Sequence, residues 1–247
     1  GGDGTIHEVV NGLLAEGVHP DLPVLGTVPG GSANVFARAL GFPQDAVEST
    51  GLLLRAMREG TTRTVGLGMF DERYFTFTAG LGIDAEIMTR MEQARAQGKS
   101  ASPTRYLATT LRQFFTDTDR KQPSLILHAP GEEPVDGVFL AIVQNTSPWT
   151  YLGPLPVDPC PRASYDTGLD LFAPRSLAIV HALGYVRRML TRQRATYPFG
   201  GLLTLHDQSE LSVAASRPTQ LQIDGDSAGL ATSVTFRSVP RALSVLV

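Results

Sequence analysis

The chain has 247 residues, 42% apolar and 18% charged. This is a globular composition, and it excludes a disordered, collagen-like or coiled-coil protein. The 21 basic and 24 acidic residues leave a net charge of −3, which argues against binding nucleic acid by neutralising phosphates. One cysteine, Cys160, excludes an internal disulfide framework and a cysteine zinc cluster. The longest uncharged run, 137–157, is broken by Gln144, Asn145, Pro148, Gly153 and Pro154, so no transmembrane helix is expected.

The chain opens without Met, inside a glycine motif. Gly1-Gly2-Asp3-Gly4-Thr5 leads into Ile6, Val9, Val10, Leu13 and Leu14. Their spacing of three and four residues predicts an amphipathic helix ending by Gly17. A glycine loop that opens a helix normally follows a buried strand. None precedes this one, so the chain reads as a fragment whose N-terminal part is missing. Pro23 to Val28 predicts a short strand, Pro29-Gly30-Gly31-Ser32 a turn, Ala33 to Leu40 a short helix, and Asp45 to Glu59 a helix stopped by Gly60.

From residue 61 the texture changes. Thr61–Phe70 and Tyr74–Ala79 predict strands around an Asp71-Glu72-Arg73 turn. Helices are expected over about Asp84–Arg95 and from Ser102 through Phe114. Short strands then dominate: 125–128, 135–144, 169–172, 202–206, 211–214, 220–223, 233–236 and 243–247. A helix from Leu177 to Leu190 interrupts them. Two domains are therefore expected: the remnant of an α/β domain at 1–60 and a mostly antiparallel β domain at 61–247.

Two glycine loops, Gly1–Thr5 and Gly30–Asn34, each precede a helix. Glycine admits close backbone approach, and free amides at a helix start favour an anion. A pair of such loops at the carboxyl ends of strands favours a phosphate site over a mere tight turn. The phosphate chemistry is not that of a Walker A loop. Gly98-Lys99-Ser100 has the tail of that motif, but the required first glycine is Gln93, and the only lysines are Lys99 and Lys121. Gly80-Leu81-Gly82-Ile83-Asp84-Ala85 matches a dinucleotide fingerprint but lacks the later acid, with no Asp or Glu between Glu92 and Asp117. His7-Glu8 has Asn11 where a zinc protease needs histidine, and Gly30-Gly31-Ser32-Ala33 has Asn34 where a nucleophile elbow needs glycine. Asp224-Gly225-Asp226 and Asp166-Thr167-Gly168 read first as ordinary Asp–Gly turns. Acids at strand ends also serve as a base or as Mg²⁺ ligands.

Taken in order, these motifs resemble the diacylglycerol kinase catalytic-domain family, which includes bacterial diacylglycerol kinases and sphingosine and ceramide kinases, with NAD kinase as a distant relative. Gly1–Thr5 with Glu8 and Asn11-Gly12 is similar to its signature. Gly30 to Arg38 followed by Leu40-Gly41 resembles its second nucleotide loop, with Ser32 for Thr and Val35 for Asp. Gly80–Ala85 resembles its domain-junction motif. Asp166 to Asp170 resembles its Asp-Asp-Gly-x-Leu-Asp stretch, and Asp224-Gly225-Asp226 its Asp-Gly-Glu. The resemblance implies a partial NAD-kinase-like doubly wound α/β domain followed by an antiparallel β-sandwich. It implies ATP and Mg²⁺ held by Gly1, Gly2, Asp3, Gly4, Thr5, Gly30, Gly31, Ser32 and Asn34, with Asp3 also catalytic. Asp226 takes the place of the general base on a lipid hydroxyl, and Asp166 that of a structural Mg²⁺ ligand. The implied reaction is phosphorylation of diacylglycerol to phosphatidate. Another lipid alcohol (a sphingoid base, ceramide or glycolipid) and a non-catalytic lipid-binding module are the alternatives. A cytoplasmic protein peripherally bound to the membrane is expected, with no nucleic-acid partner and a homodimer left open. Pro148-Trp149-Thr150-Tyr151-Leu152 is a candidate membrane contact, against packing on its own domain.

Overall fold

A computed structural model describes residues 1–82, 124–152, 154–191 and 200–247. The expected helices near 84–95 and 102–114, and the Ile83-Asp84-Ala85 end of the junction motif, lie outside the described residues. Three helices come first: α1 (Asp3–Leu13), α2 (Val35–Ala39) and α3 (Ala46–Glu59). α3 begins where the sequence suggests, because the Asp45 side chain accepts the Glu48 amide at 2.8 Å, and it ends on Gly60 at φ +67°. The segment expected as a strand, Pro23–Val28, makes only an isolated parallel bridge through Leu25 to Val245.

The strands are β1 (Thr62–Phe70), β2 (Arg73–Phe75), β3 (Thr78–Leu81), β4 (Leu125–His128), β5 (Val135–Val138), β6 (Ala141–Gln144), β7 (Thr150–Leu152), β8 (Leu155–Val157), β9 (Leu169–Pro174), β10 (Leu202–Gln208), β11 (Glu210–Ile223) and β12 (Asp226–Leu246). A helix α4 (Ile179–Thr191) follows β9. Ten strands form one antiparallel sheet in the order β10-β9-β6-β3-β11-β12-β1-β2, with β4 between β11 and β5, while β7 and β8 form a separate hairpin. Phe70 and Phe75, from one end of this path, share a core cluster with Leu169, Leu171, Leu203 and Leu205 from the other. The sheet therefore closes over its own apolar face as a β-sandwich. Gly80–Gly82 lies in and after β3, flanked by antiparallel β11 and β6, so it opens no βαβ unit.

Four boundaries differ from the sequence expectation, one being the strand expected over 135–144, which divides into β5 and β6 with different partners. The strand expected over 74–79 is split after Phe75, because the successive amides of Thr76, Phe77 and Thr78 turn to the Asp224 carboxylate. Conversely, β11 and β12 each join two expected strands. Register shifts between Ala214 and Thr219, and opposite Val65 to Leu67, carry Pro218 and Pro240 without ending the ladder. α1 and α2 pack on the sheet rather than standing apart. Ile6, Val10, Leu14 and Phe36 share a cluster with Val65 and Leu67 of β1 and Leu243 and Val245 of β12.

Candidate active site

The two glycine loops touch backbone to backbone. The Gly30 amide donates to the Gly1 carbonyl at 3.0 Å, and the Gly1 nitrogen to the Val28 carbonyl at 2.9 Å. A Cβ on Gly31 would stand 2.8 Å from the Gly2 Cα, and one on Gly2 3.1 Å from the Gly31 Cα. These glycines are required by loop-on-loop packing. α1 makes its first internal bond from the Ile6 amide to the Gly2 carbonyl. The amides of Asp3, Gly4 and Thr5 therefore precede the helical ladder and leave partial positive charge at this end. Thr5, Gly30, Gly31 and Ser32 are exposed around it.

Asp3 and Asn34 brace this arrangement. The two Asp3 oxygens accept the Val35 amide at 3.0 Å and the Phe36 amide at 3.1 Å, so this carboxylate caps α2 from the first turn of α1. Asn34, at φ 50°, accepts the Gly31 amide at 2.7 Å and donates to the Gly31 carbonyl at 2.8 Å. Its buried side chain is turned into the loop, where the sequence suggested a ligand contact. The Arg38 guanidinium, on α2, lies 3.2 Å from the ring centroid of Tyr151 in β7. Tyr151 packs on the Ala33–Val35–Phe77 cluster.

The acids of the β11–β12 turn divide into two environments. Asp224 and Gly225, at φ 49° and 95°, make a two-residue turn closed by the Ile223–Asp226 pair, as a type I′ hairpin requires. Asp224 is only 3% exposed. One oxygen accepts the amides of Phe77 at 2.9 Å and Thr78 at 3.1 Å. The other accepts the Thr76 amide at 2.7 Å, the Thr76 hydroxyl at 3.0 Å and His7 Nδ1 at 3.1 Å. With Nδ1–H donating, His7 Nε2 accepts from Arg73 at 3.2 Å, a tautomer assigned from this pattern. Asn11 in turn clamps the Tyr74 backbone, accepting its amide at 2.8 Å and donating to its carbonyl at 3.0 Å. Asp226 points outward instead. It is exposed, and its Oδ2 lies 3.1 Å from where a Cβ on Gly4 would stand. The chain thus brings Asp226 against the first glycine loop, with Asp224 and His7, 217 residues apart, pinning the turn to α1.

Tyr165 is buried against Phe36, and its hydroxyl has no hydrogen-bond partner among the described residues. Burial, followed by the Asp224 and Asp3 charges, pushes its phenol well above the usual tyrosine range. Asp166 joins none of this. Its carboxylate is 64% exposed and pairs with Arg63 at 2.6 Å. Among the described residues no group of three or more His, Cys, Asp or Glu could hold a metal. Asp170, four residues on, is buried and accepts His206 at 2.6 Å and the Asp207 amide at 3.1 Å. The residues that sequence reasoning passed over are Asp224 and His7. The only signal for them was the Asp–Gly turn chemistry and a histidine on the buried face of α1. Trp149 is buried with Val157 and α4 in one apolar cluster, so its indole packs on its own fold.

Residues 1–70 match the family model of the diacylglycerol kinase catalytic domain. A diacylglycerol kinase of Staphylococcus carnosus is 40% identical over 87 residues, which is 35% of this chain and 26% of that protein. One from Staphylococcus epidermidis is 39% identical over 82 residues, covering 33% of this chain and 24% of that relative. The chain thus matches about a quarter of the length of these relatives. A crystal structure of a diacylglycerol kinase from Bacillus anthracis strain Sterne aligns with 100% of this chain and 74% of its own, at a TM-score of 0.70 and 17% identity. That likeness establishes a shared fold. No helix among the described residues is long and apolar enough to cross a membrane.

Proposed function

We propose that this chain belongs to an ATP-dependent lipid kinase that phosphorylates diacylglycerol to phosphatidate, with residues 1–60 on the nucleotide side and 61–247 on the lipid side. The observation that carries this reading is the meeting of Asp226 with Gly4 of the first glycine loop. An exposed carboxylate beside a phosphate-sized concentration of helix-start amides is what transfer from a nucleotide to a hydroxyl requires. The match of residues 1–70 to a diacylglycerol kinase catalytic domain supports the same chemistry.

In this mechanism the amides at the start of α1, joined by that of Ser32, hold the ATP phosphates, helped by the Thr5 and Ser32 hydroxyls, while Gly30 and Gly31 spend their amides on Gly1 and Asn34 and hold the second loop in place. Arg38, held by Tyr151, adds positive charge beside the second loop. A Mg²⁺ ion, of the kind bound by phosphates and one or two carboxylates, would supply neutralisation of the phosphate charge here. Asp3 would hold it, through lone pairs left after capping α2. Asp226 accepts the proton of the lipid hydroxyl as its oxygen bonds to the γ-phosphorus and ADP departs. Asp224 and His7 act through Asp226 as positioning residues, because they fix the turn that carries it. The test is phosphate transfer from labelled ATP by the full-length protein to a panel of diacylglycerol, sphingoid base, ceramide and glycolipid. Product from diacylglycerol alone supports the reading, product from another alcohol moves it to that lipid, and no product from any refutes it.

A further inference from the structure

Between Asp170 and Asp207 the sequence has no Asp or Glu. It has five arginines there, Arg175, Arg187, Arg188, Arg192 and Arg194, in a chain whose net charge is −3. α4 occupies the middle of this stretch. One face is buried through Ala182, Tyr185, Arg188 and Met189. The Tyr185 hydroxyl ties it to the carbonyls of Ser176 at 3.0 Å and Gly201 at 2.7 Å. At about 100° per residue, Ile179, Val180, Leu183 and Arg187 fall on one outward arc. The three apolar side chains are 68%, 67% and 66% exposed, and Arg187 is exposed beside them. Isolated exposed apolar residues, such as Val47, need no explanation. Three contiguous ones on a helix already anchored by its opposite face do.

The place of α4 adds to this. The β7–β8 hairpin meets α2 through Tyr151 and Arg38, and it meets α4 through Trp149 and Val157, which cluster with Ala182, Tyr185 and Met189. α4 and the helix of the second glycine loop therefore flank the same hairpin.

We propose that the outward face of α4 docks on an anionic lipid bilayer. Ile179, Val180 and Leu183 enter the boundary between headgroups and acyl chains, while the exposed Arg187 pairs with a lipid phosphate. Charge selects this occupant over a second copy of the chain. A two-fold contact through α4 would have to meet Arg187 with the same outward arc, which holds no acid to pair with it. The inference deepens the lipid-kinase reading, since a bilayer is where diacylglycerol resides, but the docking itself needs neither ATP nor acceptor.

The experiment is co-sedimentation of the full-length protein with phosphatidylcholine vesicles, with and without phosphatidylglycerol, in the absence of ATP and diacylglycerol. Binding should require phosphatidylglycerol. It should weaken by more than tenfold when Ile179, Val180 and Leu183 are all changed to Ser, and by about fivefold in Arg187→Gln, the latter loss fading at high salt. Leu183→Ser alone serves as the weaker counterpart should the triple variant lower the thermal midpoint. Unchanged vesicle binding in these variants overturns the proposal. So does a parent dimer, seen by sedimentation velocity, that the triple variant turns into a monomer without altering vesicle binding. Phosphorylation of a water-dispersed short-chain diacylglycerol keeps the two readings apart. Its absence alongside α4-dependent vesicle binding removes the kinase and leaves the docking face. Its presence alongside α4-independent binding does the reverse.

Discussion

Asp224→Asn isolates the part of the site that holds Asp226 in place. At φ 49° asparagine is as well tolerated as aspartate, so the backbone is not strained by the change. The hydrogen bonds are. If the new NH₂ group replaces Oδ1, it faces the amides of Phe77 and Thr78. If it replaces Oδ2, it faces the Thr76 amide and hydroxyl and His7 Nδ1. His7 does not relieve the second orientation by switching tautomer, because Nε2 would then point its proton at Arg73. Either orientation leaves two or more donors buried without an acceptor, at roughly 1–3 kcal/mol each. The expected loss is therefore about 2–6 kcal/mol, large beside a typical total of about 5–15 kcal/mol. For a chain of this size it lowers the thermal midpoint by roughly 2–4 °C per kcal/mol. Urea denaturation followed by circular dichroism measures it directly, and kcat on the same sample should fall because Asp226 loses its fixed turn. A loss below about 1 kcal/mol would refute the claim that this carboxylate organises residues 76–78.

The other predictions concern the chemistry and the loops. Asp226→Asn should lower the transfer rate by about 10²–10⁴-fold while ATP binding stays unchanged, and Asp226→Glu should retain activity. Steady-state rates and nucleotide titration decide both, and an Asn variant as active as the parent removes Asp226 as the base. Gly31→Val should abolish ATP binding by forcing apart loops whose backbones already meet. Gly12→Ala, where a Cβ meets nothing within 4 Å, should instead stabilise α1 by roughly 0.5–1 kcal/mol; calorimetry reads both effects. Burial raises the Asp170 carboxyl from its ordinary 3.8 against the opposing pull of the Asp207 amide and His206. The folded state then keeps this proton to a higher pH than the unfolded chain does. Its contribution to stability is complete below about 3.8 and is lost as pH rises through the raised value. Asp170→Asn should flatten that part of the stability–pH curve, and an unchanged slope would exclude this group as its source.

Much of the fold is legible because its causes are local. α3 follows from its periodicity, from Asp45 as cap and from Gly60 as stop, and β4 from four residues alternating buried and exposed. The misjudged boundaries have distant causes. β2 and β3 part at Thr76 because of a carboxylate 148 residues further on, which no window of sequence contains. Pro218 and Pro240 look like strand ends, but neighbouring strands on the completed sheet absorb them in bulges. The β7–β8 hairpin is hidden in a run rich in proline and aromatic residues that satisfies no alternation. At the site, the motifs place the glycine loops and Asp226 together. They do not tell a carboxylate that meets solvent from one that caps a helix, as Asp3 does, or one that gathers amides, as Asp224 does. That distinction depends on which backbone donors arrive in space, and those come from other segments.

The joining of α1 to β12 orders events during synthesis. The apolar face of α1, with Ile6 and Val10, is covered by Leu243 and Val245 as well as by β1, and His7 finds its partner only at Asp224. A ribosome releases the glycine loops early, but their supporting helix lacks much of its cover until β12 has left the exit tunnel. Until then the nascent chain carries a greasy helix with a buried-type histidine still in water, a natural client for a holding chaperone. The same delay keeps Asp226 away from the first loop, so a half-made chain lacks the site proposed above. Translation stalled before β12 should therefore yield a species prone to aggregation.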